Sequence, residues 1–165
     1  MANDKMVETK NSVLRPQDFI PRFERALDLI SKEFRIREKV WIHGHFKPQE
    51  IFKISNSEYY LIDFAHTHYY PEGYELAFII WADWLISADW KLDYNEWRKG
   101  VFSWIENLRP VAKKMKIKKY DNLIRASIIE RIMGTIMADI YIANKTRQEK
   151  ELRIKLLYKL FDELI

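Results

Sequence analysis

Short apolar runs separated by polar residues dominate the segment between residues 40 and 64. Runs of this length that are rich in β-branched and aromatic residues predict β-strands, and the predicted strands are residues 40–42, 51–55 and 59–64. Asn56 and Ser57 supply turn residues between the last two strands, which are therefore expected to form a hairpin. The polar segment HGHFKPQE, residues 43–50, then forms a loop on rigid supports, a common place for a functional site.

Elsewhere the apolar residues recur at helical spacing. The predicted helices are residues 18–34, 73–86, 93–108, 121–140 and 146–164. We expect Asp18, Asp93 and Asp121 to be N-caps, because a short carboxylate side chain accepts hydrogen bonds from the unpaired amides of a first helical turn. The chain is therefore predicted to be α+β and mostly helical.

Two of these helices carry specific packing predictions. The first has Pro21 in its expected first turn, and its expected buried face consists of Phe23, Leu27, Ile30 and Phe34. The fourth has an isoleucine at every fourth position, which predicts a broad buried stripe formed by Ile124, Ile128, Ile132, Ile136 and Ile140. Gly134 lies in the middle of this stripe and is expected to let another helix approach closely, at a cost of ~1 kcal/mol relative to alanine.

Composition supports one domain with a sizeable core, since 48% of the 165 residues are hydrophobic. We expect a flexible N-terminus over residues 1–17 and a single domain over residues 18–165. The polar start lacks the apolar centre of a signal peptide, and the most apolar run, residues 76–88, is too short to span a bilayer. The chain has no cysteine, so a cytoplasmic location is expected.

Side chains able to bind protons or metal ions converge on the loop and the hairpin. His43, His45 and Glu50 belong to the loop, and Asp63 lies near the end of the third predicted strand. These residue types support either acid–base chemistry or metal binding.

The same residues carry a family resemblance. His43-Gly44-x-x-x-Pro48-x-x-Ile51, followed by Leu61-Ile62-Asp63-Phe64 and Gly73-Tyr74-Glu75-Leu76-Ala77, resembles the C-terminal lobe of the aminoglycoside phosphotransferase and choline kinase family. Members of this protein kinase-like family carry HGDxHPxN, then IDFE or IDW, then GDPxxDLA. The resemblance covers residues 40–80 by motif and implies a protein kinase-like C-terminal lobe built from a small hairpin and helices.

The resemblance implies phosphoryl transfer to a small-molecule hydroxyl, with ATP and magnesium as cofactors if activity is retained. His45 stands where the family has its catalytic Asp, next to His43 in the same catalytic loop. Glu50 replaces the metal-binding Asn, and Asp63 is the retained metal-binding acid. Glu75 stands where an Asp of the family braces the catalytic loop. These substitutions predict a catalytically degenerate, pseudokinase-like phosphotransferase.

The family also needs an N-terminal lobe that grips the phosphates with a flexible loop and a lysine. Forty residues precede Trp41 and contain no glycine, so an intact nucleotide lobe is not expected in this chain. The resemblance therefore predicts a truncated transferase that is inactive alone. It would act as a binding module, or as half of a split kinase whose missing face is covered by a protein partner or by self-association.

Histidine clustering supports an alternative function. His43 and His45 form one closely spaced pair and His66 and His68 another, with Asp63 and Glu50 nearby in the sequence. Alternate residues of an extended segment project to the same side, so each pair offers two imidazoles to one metal ion. The alternative is therefore a metal-binding protein or a metal-dependent hydrolase.

Two further features have simple structural interpretations. The formal charge is +4, and five lysines lie close together in residues 111–120, namely Lys113, Lys114, Lys116, Lys118 and Lys119. A solvated connection between helices is favoured over an anion-binding patch, and nucleic-acid binding is not expected. Trp81, Trp84 and Trp90 are expected to pack in the core and not to form an aromatic ligand cage.

Overall fold

The computed structural model describes residues 13–86, 93–140 and 145–165 and is α+β and mostly helical, as predicted. The helices are α1 (Pro16–Arg35), α2 (Leu76–Ile80), α3 (Tyr94–Lys114), α4 (Tyr120–Gly134) and α5 (Arg147–Leu164). One π-helical turn, Trp81–Leu85, extends α2, and another, Thr135–Asp139, extends α4. The strands are β1 (Lys39–Ile42), β2 (Ile51–Lys53), β3 (Tyr59–Leu61) and β4 (His68–Pro71).

Two small antiparallel sheets support the loop of residues 43–50. The predicted hairpin forms, with Ile51 opposite Leu61 in the β2–β3 pair. Strand β1 pairs with β4, so that Ile42 lies opposite His68. Strand β4 is not among the predicted strands, because its four residues pair with β1, which is distant in the sequence.

Helix α1 begins earlier than predicted. Its N-cap is Arg15, which makes no side-chain capping bond, and proline at the first helical position stabilises the start. The prediction that Asp18 is the cap was wrong, and Pro21 lies inside the helix. Phe34 is buried, but Leu27 is 48% exposed, so the buried face is narrower than predicted. Of the predicted flexible N-terminus, residues 1–12 lie outside the described residues, and Pro16 and Gln17 belong to α1.

Helix α4 and its π-helical extension lie at the centre of the packing and contact α1, α2 and α5. The predicted isoleucine stripe is confirmed, because each of its five members is buried. The prediction for Gly134 was wrong: a Cβ atom placed there would meet only Arg131 Nη2, at 3.7 Å. No neighbouring helix therefore depends on the missing side chain of Gly134 within the described part of the chain.

The remaining helix termini test the other capping predictions. Asp93 accepts a hydrogen bond from the amide of Asn95 at 2.8 Å, as an N-cap does. The cap prediction for Asp121 was wrong, because α4 begins at Tyr120 and Asp121 instead pairs with Arg109 at 2.8 Å. Helix α3 continues four residues past Pro110, to Lys114.

Helix α5 starts with a capping box, in which the side chains of Thr146 and Glu149 bond each other's backbone amides. Leu160 and Phe161 of this helix are buried in the core. Among the helices described, none combines the length and the apolar character needed to cross a membrane.

Candidate functional site

Candidate functional residues meet where β1, the β2–β3 hairpin and the start of α2 approach one another. Strand β1 ends at the buried residue Ile42, and the loop then runs through a 3₁₀ turn, Pro48–Glu50, into β2. The amide of Ile62 donates to the carbonyl of Glu50 at 3.1 Å, which ties the end of the loop to the segment after β3. The loop and the hairpin therefore form one unit.

His43 anchors this unit from the inside. Its ring is buried, and Nε2–H donates to the carbonyl of Ile62 at 2.6 Å. The ring of Phe64 lies edge-on to it, with centroids 4.8 Å apart. Because Nε2 holds the backbone next to Asp63, His43 acts as a positioning residue and not as a proton acceptor for a bound substrate. It was predicted as a catalytic candidate from its place in the loop.

Gly44 connects the loop to α2 and to the segment after the hairpin. Its φ angle is 80°, which favours glycine, and its amide donates to Glu75 Oε1 at 3.0 Å. A Cβ atom on Gly44 would lie 2.0 Å from the carbonyl oxygen of His66. Glu75 therefore bonds the loop backbone, and only glycine allows His66 to pack against it.

His45 lies between two carboxylates. Its Nδ1 is 2.9 Å from Glu50 Oε1 and 3.2 Å from Asp63 Oδ2. Lys47 Nζ lies 3.2 Å from His45 Nε2 and 3.0 Å from Glu50 Oε1. An ammonium group only donates, so Nε2 is the accepting nitrogen and the proton of a neutral His45 lies on Nδ1, facing the carboxylates.

Asp63 occupies an unusual backbone conformation. Its φ and ψ angles are 61° and 62°, in the left-handed region that is uncommon for residues other than glycine. The hydrogen bond from His45 lowers the pKa of its exposed carboxyl group below the ordinary value. Strain of this kind is often found at functional sites, where the surrounding structure holds it in place.

Glu50 is the most buried acid of the cluster. Its side chain is 6% exposed, and its Oε2 atom has no hydrogen-bond partner among the described residues. The same oxygen lies 4.0 Å from His43 Nδ1, which also lacks a partner within the described chain. His45 and Lys47 therefore contact the buried Glu50 carboxylate through Oε1, while Oε2 faces His43.

One histidine of each predicted pair joins the cluster. Ligand atoms of His45, Asp63 and His66 lie within 4.8 Å of one another. His68 lies outside this group and donates from Nδ1 to the carbonyl of His66 at 2.5 Å. This arrangement differs from the expected pairing, because β4 turns His68 away while the 3₁₀ turn Phe64–His66 brings His66 towards His45.

Sequence reasoning missed Lys47, although its position three residues before Glu50 was a usable signal. In a helical turn this spacing brings two side chains together, and residues 48–50 form such a turn. The contribution of Gly44 was also missed, because its contact with His66 depends on the pairing of β1 with β4.

The other candidates lie elsewhere. Trp81 is buried and donates to Thr135 Oγ1 at 2.9 Å, and Trp84 packs against the core, as predicted, whereas Trp90 lies outside the described residues. The lysine cluster is exposed around the end of α3 and the turn before α4. Arg37 donates to the carbonyls of Lys118 and Lys119, so this turn is held against the end of α1.

Comparison of the chain with protein-family models, with curated proteins and with solved structures finds no match.

Proposed function

We propose that the chain is a catalytically degenerate phosphotransferase-like C-terminal lobe that binds ligands or partners but does not complete catalysis alone. One observation carries this proposal. The family resemblance assigns Glu50 and Asp63 to the metal positions and His45 to the catalytic position, and both carboxylates lie within 3.2 Å of His45 Nδ1. The bonds of His43 to the Ile62 carbonyl and of Glu75 to the Gly44 amide supply the bracing that such a loop needs.

The residue types suit a magnesium ion. Glu50 Oε1 and Asp63 Oδ2 both lie within 3.2 Å of His45 Nδ1, so the two carboxylates lie beside the same histidine ring. Hard carboxylate oxygens are the protein ligands that magnesium prefers, and the remaining positions are usually filled by water and phosphate oxygens. Glu50 and Asp63 are therefore the residues that would hold the ion, which would neutralise charge on the phosphates of ATP.

His45 is poorly arranged to act as a general base. Its accepting nitrogen, Nε2, is engaged by Lys47 at 3.2 Å, and its proton faces Glu50 and Asp63. A base must have a free lone pair within reach of the proton that it removes. Phosphoryl transfer to a hydroxyl would thus require Lys47 to move away first, which supports a degenerate enzyme.

A nucleotide lobe is not formed by the described residues that precede β1, which make one helix. The hairpin instead offers a surface for a second chain, because its strands and the residues just after them expose large apolar side chains. These are Phe52, Ile54, Tyr59, Tyr60, Ile62 and Phe64. A two-stranded hairpin is marginally stable by itself, so we infer that a partner chain or a second copy covers it.

Calorimetry and NMR together test this function. We expect the isolated chain to bind Mg·ATP with a dissociation constant no tighter than about 1 mM, since the described residues form no phosphate-gripping lobe. We also expect millimolar Mg²⁺ alone to shift the amide resonances of Glu50 and Asp63. Micromolar affinity for Mg·ATP would contradict the degenerate assignment, and unshifted resonances would contradict the phosphotransferase-like metal position.

Matched variants make the NMR result specific. Asp63→Asn removes one carboxylate with little change in shape and should abolish the Mg²⁺-dependent shifts. Glu58→Gln makes a similar change at an exposed position in the turn of the same hairpin and should leave them intact. Equal losses in both variants would show that the ion binds through general surface charge.

A further inference from the structure

We propose that His45, Asp63 and His66 bind a single transition-metal ion such as Zn²⁺, and that the buried Glu50 carboxylate beside them favours its positive charge. This site goes beyond the proposed function, because His66 lies outside the motif that carries the family resemblance and would bind the ion whether or not the chain has kinase ancestry.

The ligand atoms of this group lie close together. Ligand atoms about 2.0–2.2 Å from a zinc ion lie about 3.3 Å from one another. His45 Nδ1 is 3.2 Å from Asp63 Oδ2. A ligand atom of His66 lies within 4.8 Å of those of His45 and Asp63. His66 is exposed, so rotation of its ring can close the remaining distance.

The electrostatics of Glu50 favour a cation at this point. Its carboxylate is buried, and its Oε2 atom lacks a hydrogen-bond partner in the described chain. A buried charge is costly unless it is paired or coordinates a metal ion. Lys47 supplies a positive charge 3.0 Å from Oε1 and would repel an ion bound beside Glu50. Binding of the ion at Nδ1 would also move the proton of His45 to Nε2, from which Lys47 would withdraw.

The backbone holds His66 in position without using its ring. The carbonyl of His66 packs against Gly44 and accepts the hydrogen bond from His68 Nδ1. The rings of His45 and His66 lie with their centroids 4.8 Å apart. A site built on such supports loses little freedom when it binds an ion.

The ligand types indicate which ion is preferred. Imidazole nitrogens suit zinc, copper, nickel and iron, whereas magnesium and calcium favour sites made of oxygen ligands. Two imidazoles and one carboxylate therefore select a transition metal over magnesium at equal concentrations.

Zinc titration of the tag-free chain, followed by calorimetry, tests the proposal. We expect one Zn²⁺ per chain and a loss of at least about tenfold in affinity for His66→Ala, the lower limit seen when the support of a metal ligand is removed. His68→Ala removes an imidazole two residues away and should retain the wild-type affinity. Lys47→Met removes the competing ammonium group and should increase the affinity about fivefold, because like charges about 4 Å apart repel by that factor in water.

Any of four other results would contradict the proposed site. Absence of zinc binding, wild-type affinity in His66→Ala, an equal loss in His68→Ala, or unchanged affinity in Lys47→Met would each show that the ion does not bind among His45, Asp63 and His66 beside Lys47. Circular dichroism should show the same helical content in all variants, since His66, His68 and Lys47 lie outside the buried core. The Mg²⁺ shifts at Glu50 and Asp63 should persist in His66→Ala, so failure of this site is distinguishable from failure of the proposed function.

Discussion

At the residue scale, Gly44 determines whether the parts of the candidate site meet. Its amide binds Glu75, and its missing side chain leaves room for the carbonyl of His66. The neighbouring residues His43 and His45 bind opposite sides of the hairpin end, at Ile62 and Asp63. The left-handed backbone of Gly44 lets successive side chains point in these different directions.

Gly44→Ala is predicted to destabilise the protein. A Cβ atom at this position would lie 2.0 Å from the carbonyl oxygen of His66, and its φ of 80° disfavours alanine. Left-handed backbone in a residue other than glycine costs on the order of 1–3 kcal/mol, and the steric overlap adds to that. Urea denaturation measures the change, and a free energy of unfolding equal to that of the wild type would contradict the structure of this loop.

At the element scale, the sequence predicted the elements that rest on local pattern and missed those that depend on distant pairing. The isoleucine stripe of α4 and the β2–β3 hairpin follow from spacing and turn residues alone, and the structure contains both. Strand β4 forms because it pairs with β1, and the paired residues Ile42 and His68 are 26 positions apart in the sequence. Its own four residues therefore give little indication of a strand.

Helix starts show the same limit on sequence prediction. Asp93 caps α3, but Asp18 and Asp121 lie inside the first turns of α1 and α4, where an acidic side chain is also favoured. The sequence therefore placed an acid near each helix start without fixing its position. The candidate site divides in the same way. His43, His45, Glu50 and Asp63 were found by motif and His66 by the clustering of histidines, whereas Lys47 joined them only through the fold.

Gly134→Ala is predicted to stabilise helix α4. The new methyl group would make ordinary contact with Arg131 Nη2 at 3.7 Å, and alanine is favoured over glycine within a helix by about 1 kcal/mol. The free energy of unfolding should therefore rise, in contrast to the fall expected for Gly44→Ala. A loss of stability would show that another element approaches α4 at this position.

At the scale of the whole molecule, tyrosine hydroxyl groups connect the packed helices and strands. Tyr70 and Tyr74 donate to the carboxylate of Glu130, and Tyr120 donates to the carbonyl of Ile105 at 2.8 Å. Burial is the main cause of the raised pKa values of these tyrosines. Burial also raises the pKa of Tyr158 to about 12.

The raised tyrosine pKa values predict that the folded protein loses stability in alkaline solution. Above about pH 10 the unfolded chain releases its tyrosine protons while the folded protein retains them. The free energy of unfolding must then fall as the pH rises towards about 12 for Tyr158. Urea denaturation at a series of pH values from about 8 to about 11 measures the slope, and a constant or rising free energy would contradict the prediction.

Tyr158→Phe provides the control for this pH dependence. The hydroxyl group of Tyr158 is buried and has no hydrogen-bond partner among the described residues, so its removal should leave the fold intact at neutral pH. The variant should lose less stability than the wild type between pH 10 and the upper limit of the series. An unchanged slope would show that Tyr158 does not contribute.

A crystal structure of the protein soaked with Mn²⁺ tests the central claim most directly, because manganese binds oxygen ligands as magnesium does and gives an anomalous signal. The account predicts one anomalous peak in contact with both Glu50 and Asp63, with His43 still bonded to the carbonyl of Ile62. A peak elsewhere, or a loop in which Glu50 and Asp63 lie too far apart to share an ion, would contradict it.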